Sequence, residues 1–242
     1  MNKALEAHVF DRQTRKTHKH MRFLSFPICR AVLVIGRIHI TAESQAMSRI
    51  LKTVIVNGSL SRPSRTRVLL DALHERLAEQ LPLKVQTIDL VDLLPDVGAA
   101  LSQDALSPKA LQAVQAIEQA DFLVVGSPVF RASLPGLLKH LFDLVGQHAL
   151  QGTPVLLAAT GGSQRHSLVL DHQLRPLFGF FCALPLPLGV YATPQDIQDG
   201  EIASDALRQH IELAVGLATP VLQGVRQRLE QADAVRLLAE AA

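Results

Sequence analysis

Val54-Ile55-Val56-Asn57-Gly58-Ser59-Leu60-Ser61-Arg62-Pro63-Ser64-Arg65-Thr66 is the stretch that decides the fold. Its β-branched run reads as a strand buried on both faces, as in a parallel sheet, and Asn57-Gly58 ends it. Ser64 then stands where a helix N-cap belongs. Behind it Val68, Leu69, Ala72, Leu73 and Leu77 recur at helical spacing and predict a helix over 64–80. Strand, hydroxyl-rich turn and amphipathic helix, in that order, make the first half of a βαβ unit.

The alternation continues outward from there. Strands are predicted at 85–90, 122–125 and 154–159, and helices at 108–119 and 134–145, each with Pro at its start. Pro95, Gly98 and Ser102 break any period over 93–106, which reads as a loop. Residues 168–178 read as helical until Pro176 perturbs them. Residues 184–191 hold Pro185 and Pro187 and make an edge strand at best. Residues 202–241 read as one or two helices, with Pro220 as a kink point. Five strands with intervening helices predict an α/β fold: a doubly wound five-stranded parallel sheet with helices on both faces.

Charge is unevenly spread. The chain of 242 residues has a formal net charge of +2, but residues 1–46 carry eight Lys/Arg against three Asp/Glu. The rest carries sixteen against nineteen, so the body is mildly acidic and lacks the basic surface that nucleic acid requires. The apolar run 23–36 is interrupted by Arg30 and falls short of the roughly 20 residues that span a bilayer. The same charge argues against a signal peptide. Residues 1–46 therefore read as an N-terminal extension, disordered or upstream of a true start at Met47, and residues 47–242 as the folded domain. The two cysteines, Cys29 and Cys182, form neither a disulfide framework nor a zinc spacing, which fits a reducing, cytoplasmic setting.

In doubly wound sheets ligands sit beyond the carboxyl ends of the strands. Three turns fall there. The first, 58–66, sets Ser59, Ser61, Ser64, Thr66, Arg62 and Arg65 around the N–H groups of a helix N-terminus, an arrangement that favours a phosphate. It is neither a Walker A nor a dinucleotide fingerprint. The second, Ser127-Pro128-Val129-Phe130-Arg131, offers a flat, rigid edge to a planar ring. The third, Thr160-Gly161-Gly162-Ser163, lets backbone N–H groups approach a ligand closely. Taken singly, each turn has a plainer reading: an N-capped turn, a loop with Phe130 in the core, a Gly-Gly turn. No carboxylate pair, Ser-His-Asp order or cysteine nucleophile stands out, so no catalytic side chain is named, and no metal set is found.

These turns, with Leu137-Leu138-Lys139-His140-Leu141-Phe142-Asp143-Leu144 and the run from Ala158 through Ser163 to Leu170-Asp171-His172-Gln173-Leu174-Arg175-Pro176, carry a resemblance. The body resembles the NADPH-dependent FMN reductase family of flavodoxin-like proteins. It is most similar to the flavin reductases that serve alkanesulfonate and methanesulfonate monooxygenases. The resemblance implies an enzyme that uses NADPH or NADH to reduce FMN and passes it to a partner monooxygenase. It places the phosphate on Ser59, Ser61, Ser64, Arg65 and Thr66 with Arg62 nearby, and the ring against 128–131 and 160–163. It also implies a homodimer or homotetramer. Leu134 stands where similar reductases commonly carry a ring-bearing residue. With no Trp and a single tyrosine, Tyr191, little in the chain can clamp a flavin between rings, which suits a flavin that leaves as product. An FMN-bound quinone or azo reductase, and a flavodoxin-type carrier without enzymatic activity, remain alternatives on the same residues.

Overall fold

The computed structural model describes residues 49–240. The expected extension 1–46 and the boundary at Met47 lie outside them. Chain order runs β1 (Leu51–Asn57), α1 (Arg65–Gln80), β2 (Leu83–Asp89), a short α2 (Asp96–Ala99), α3 (Pro108–Glu118), β3 (Phe122–Pro128), α4 (Gly136–Asp143) and β4 (Pro154–Thr160). It continues with α5 (Arg175–Phe180), β5 (Leu184–Pro185), β6 (Val190–Ala192), β7 (Ile197–Gln198), β8 (Glu201–Ile202) and α6 (Asp205–Glu240).

The sheet order is β2-β1-β3-β4-β5 and every pair is parallel. This is the flavodoxin-like order, and its switch point lies between β1 and β3, whose connections leave in opposite directions across the sheet. β6 pairs with β4 beyond the end of β5, so the fifth column of the sheet is filled by two pieces.

Side chains alternate across the strands. Val54, Val56, Leu123, Val125, Val155 and Leu157 face one way, into a core closed by α3, α4 and α5. Ile55, Phe122, Val124, Leu156 and Ala158 face the other, against α1 and α6. Both faces are buried, which is why these runs are continuously apolar in sequence. Each fully buried aliphatic side chain contributes roughly 1.5–3 kcal/mol.

Three local differences from the sequence reading have physical causes, and the C-terminal region, read as one or two helices, forms one helix. The stretch 93–106 is not plain loop: α2 and single 3₁₀ turns at Leu90–Asp92 and Gln103–Ala105 fold it down, burying Leu93, Val97 and Ala100. Pro176 does not end its helix but sits in the first turn of α5. The chain ahead of it widens into a π turn, Leu170–Leu174, where the Arg175 N–H donates to the Leu170 carbonyl. Helix α6 is a single element with Pro220 inside it, held by the packing of Leu207, Ile211, Val215, Ala218 and Leu222. Finally, β7 and β8 form an antiparallel hairpin that the sequence reading lacks.

Candidate functional site

At the carboxyl end of β1 the chain turns sharply. The Gly58 N–H donates to the Gly126 carbonyl of β3 at 2.8 Å, and Asn57 Oδ1 accepts the Ser59 N–H at 3.2 Å. A Cβ on Gly58 would stand 2.5 Å from Leu138 Cδ2 and 2.9 Å from that Gly126 oxygen, so this close approach requires glycine. The Ser61 N–H then bonds Ser59 Oγ, and Ser64 Oγ caps α1 by accepting the Arg67 N–H at 3.2 Å. The result is a short arch over the first turn of a sixteen-residue helix, whose N–H groups point outward.

The second and third turns lock onto the first. Buried Thr66 and Thr160 share a hydroxyl–hydroxyl bond of 2.7 Å. The Val129 N–H donates to the Thr160 carbonyl at 2.7 Å, and the Gly161 N–H to the Ala192 carbonyl at 3.0 Å. Phe130 and Ser133 exchange two backbone bonds around Arg131 and Ala132, both left-handed at φ 49° and 68°. Two positive φ values in a row describe a tight reversal that normally favours Gly or Asn, so this turn holds strained backbone beside the site.

Between the three turns lies one cleft of about 920 Å³. Of the residues expected from sequence, Ser59, Ser61, Ser64, Arg65, Thr66, Pro128, Val129, Phe130, Thr160, Gly161 and Gly162 line it. Arg62, Arg131 and Ser163 do not. Arg62 reaches away to Asp92 at 2.6 Å and Asp89 at 3.4 Å, and its hydrogen bond to Asp92 raises its pKa further above the ordinary guanidinium value. Arg131 sits at the apex of its reversal. The Ser163 carbonyl turns back to accept the Tyr191 hydroxyl at 2.7 Å. Arg65, in contrast, forms no ion pair among the described residues and is the basic side chain on the cleft wall.

One wall was not anticipated: Ala192 to Thr193, Pro194 and the β7–β8 hairpin tip, Gln198-Asp199-Gly200. Asp199 and Gly200 adopt φ values of 49° and 82°, a hairpin turn for which Asp-Gly is a strong sequence signal. Asp196 fastens the base of this wall. Its Oδ2 accepts the Thr193 N–H at 2.8 Å and the Thr193 hydroxyl at 2.7 Å. Burial opposes its charge, but these bonds and one from Ser204 outweigh burial and hold the carboxyl below its ordinary value.

The donor set suits a phosphorylated, planar ligand: a helix N-terminus with hydroxyls and one unpaired guanidinium at one end, and a flat Pro128-Val129-Phe130 edge opposite open backbone at the other. A Cβ at Gly162 would meet nothing within 4 Å, so the third turn leaves room there. No helix among the described residues is long and apolar enough to cross a membrane.

Comparison with known proteins identifies the family of the chain. The profile of the family described as NADPH-dependent FMN reductase matches residues 51–198. The NADH-dependent FMN reductase SfnF of Pseudomonas fluorescens is 55% identical over 175 residues, covering 72% of this chain and 94% of that protein. An FMN reductase (NADPH) of Pseudomonas aeruginosa is 51% identical over 185 residues, covering 76% and 99%. Among solved structures, an oxidoreductase from Corynebacterium diphtheriae is similar at a TM-score of 0.66 and 36% identity, covering 73% of this chain and 99% of that one.

Proposed function

The chain belongs to the NADPH-dependent FMN reductase family, and from that premise we propose that it reduces FMN with NADH or NADPH in the cleft between the three strand-end turns and releases the product to a monooxygenase. It is an NAD(P)H-dependent FMN reductase. What supports the location is the cross-linking of the turns around a single cleft: Gly58 to Gly126, Thr66 to Thr160, Val129 to Thr160.

When bound, FMN supplies a ring that accepts hydride from the nicotinamide. The chain's own part is binding and orientation. The first turn of α1, with Ser59, Ser61 and Arg65, holds the phosphate through oriented N–H groups and charge-assisted bonds. Thr66 ties that turn to β4, and Ser64 fixes the start of the helix. Pro128, Val129 and Phe130 limit the ring on one side, while the Gly162 N–H, unpaired among the described residues, presents a donor to its polar edge. Among the described residues Phe130 is the only aromatic side chain lining the cleft, so stacking is weak and the flavin is free to depart.

Release to a flavin-dependent monooxygenase is the corresponding partner assignment. A second surface supports self-association: a groove of about 870 Å³ where Leu134, Phe142, Val145, Leu177 and Phe181 line an apolar wall and Phe180 is 61% exposed. We assign it to another copy of the chain; Phe180→Glu should lower the mass seen by light scattering.

The decisive experiment is NAD(P)H oxidation by the purified full chain. Oxidation that requires added FMN and saturates with it is the expected result. Flavin retained through purification, with turnover dependent on a quinone, would instead favour the quinone reductase reading. Bound flavin without NAD(P)H oxidation would favour the carrier.

A further inference from the structure

Tyr191 is not among the residues lining the cleft, yet its hydroxyl and ring both meet the third turn. Its hydroxyl donates to the Ser163 carbonyl at 2.7 Å. Its ring lies directly behind Gly161: a Cβ there would be 2.1 Å from the Tyr191 oxygen and 3.1 Å from Cζ. The next residue, Ala192, accepts the Gly161 N–H at 3.0 Å. So β6 grips the turn at both ends, by backbone at Gly161 and by the tyrosine at Ser163. The His166 N–H adds a bond of 3.3 Å to the same Ser163 carbonyl.

The hold on that carbonyl fixes the Ser163–Gln164 peptide plane, and the Gly161–Ala192 bond fixes the Thr160–Gly161 plane. The two planes between them, which carry the Gly162 and Ser163 N–H groups, are therefore held from both ends. The Gly162 and Ser163 N–H groups donate to no group among the described residues. Gly162 faces the cleft with open space around it. Burial raises the Tyr191 phenol above its ordinary value, so it stays protonated and remains a donor throughout the neutral range.

We infer that Tyr191 is a positioning residue for flavin: it holds the 160–163 turn so that the free Gly162 N–H faces the ring edge that gains negative charge on reduction. This rests on the flavin site proposed above. Donors fixed in place stabilise charge more than donors that must reorient, so the effect is larger for reduced than for oxidised FMN.

Tyr191→Phe removes the hydroxyl and keeps the ring. With FMN as the probe and the full chain, affinity for oxidised FMN is measured by calorimetry and the midpoint potential of bound FMN by titration with a reductant. Losing one neutral hydrogen bond is expected to weaken oxidised FMN about 2- to 10-fold. A further loss of roughly threefold to tenfold for reduced FMN lowers the potential by about 15–30 mV. Gly161→Ala supplies the second arm, since its methyl must displace the tyrosine hydroxyl. In that background Tyr191→Phe should cost less than about twofold, because the bond it removes is already broken.

Unchanged affinity and potential in Tyr191→Phe, or full additivity with Gly161→Ala, would overturn the role of Tyr191 while leaving the flavin site intact. If the unaltered chain neither binds nor reduces FMN, the site assignment fails and this role with it. If Tyr191→Phe does not fold, as judged by circular dichroism, the potential measured in Gly161→Ala decides, and an unchanged value there refutes the role.

Discussion

The Thr66–Thr160 bond joins the phosphate turn to the third turn, and its worth can be set from burial alone. Thr66 is 1% exposed and Thr160 8%, and both border the cleft. Replacing one threonine by valine keeps the shape but strands the other hydroxyl. A buried hydroxyl without a partner costs about 1–3 kcal/mol. In Thr66→Val the stranded group is Thr160, which water in the cleft can reach, so the cost lies near about 1 kcal/mol. In Thr160→Val the stranded group is Thr66, the more deeply buried of the two, and the cost approaches about 2–3 kcal/mol. Replacing both removes the orphan and returns part of the loss, so the double variant is more stable than the sum of the singles by roughly 0.5–2 kcal/mol. Urea unfolding monitored by circular dichroism, comparing midpoints at constant slope, reads all three values. Equal costs for the two single variants, or strict additivity, would refute the claim that this bond is a dry latch between the turns.

Three other perturbations have definite expected outcomes. Gly58→Ala forces a methyl against Leu138 and the Gly126 carbonyl at the switch point and should destabilise by about 1–3 kcal/mol, seen as a lower melting temperature. Arg65→Ala should weaken FMN binding about 10- to 100-fold and flatten its salt dependence. Arg62→Ala, already engaged by Asp92, should change affinity by less than about threefold, and equal losses for the two would count against the phosphate assignment. Asp196 has a folded-state value below its unfolded one, so its contribution is present above about pH 4 and fades as pH falls through the folded value. Asp196→Asn should therefore destabilise at neutral pH, with its urea midpoint converging on that of the unaltered chain in acid.

The sheet is legible because each buried parallel strand is a continuous apolar run, and because the ligand-bearing turns follow from strand ends. The remainder depends on contacts distant in sequence. Arg62 resembles a phosphate ligand until Asp89 and Asp92, brought in by the end of β2, are seen to claim it. Arg131 carries no sign of its left-handed backbone, since neither it nor Ala132 is a residue that favours one. The β7–β8 hairpin has strands of two residues, too short for any period to register, and only Asp199-Gly200 marks it. Tyr191 reads as part of a poor edge strand; its role appears once β6 is seen to pair with β4 on its own register.

The two-piece fifth column bears on how the gene for such a protein can change length. Leu184–Pro185 and Val190–Ala192 each pair independently with β4, and Arg175 clasps the carbonyls of Leu186 and Pro187 between them. An insertion beside Leu188 is absorbed as a larger bulge, with both pairings kept. A single-codon deletion there draws on the same bulge, because four residues, 186–189, connect the two pairings where β4 has two, 156–157. Only a loss exceeding those two surplus residues must drag the second piece along β4. Length variation among natural variants at this point should therefore span additions and losses of up to two residues, and stop there on the shorter side.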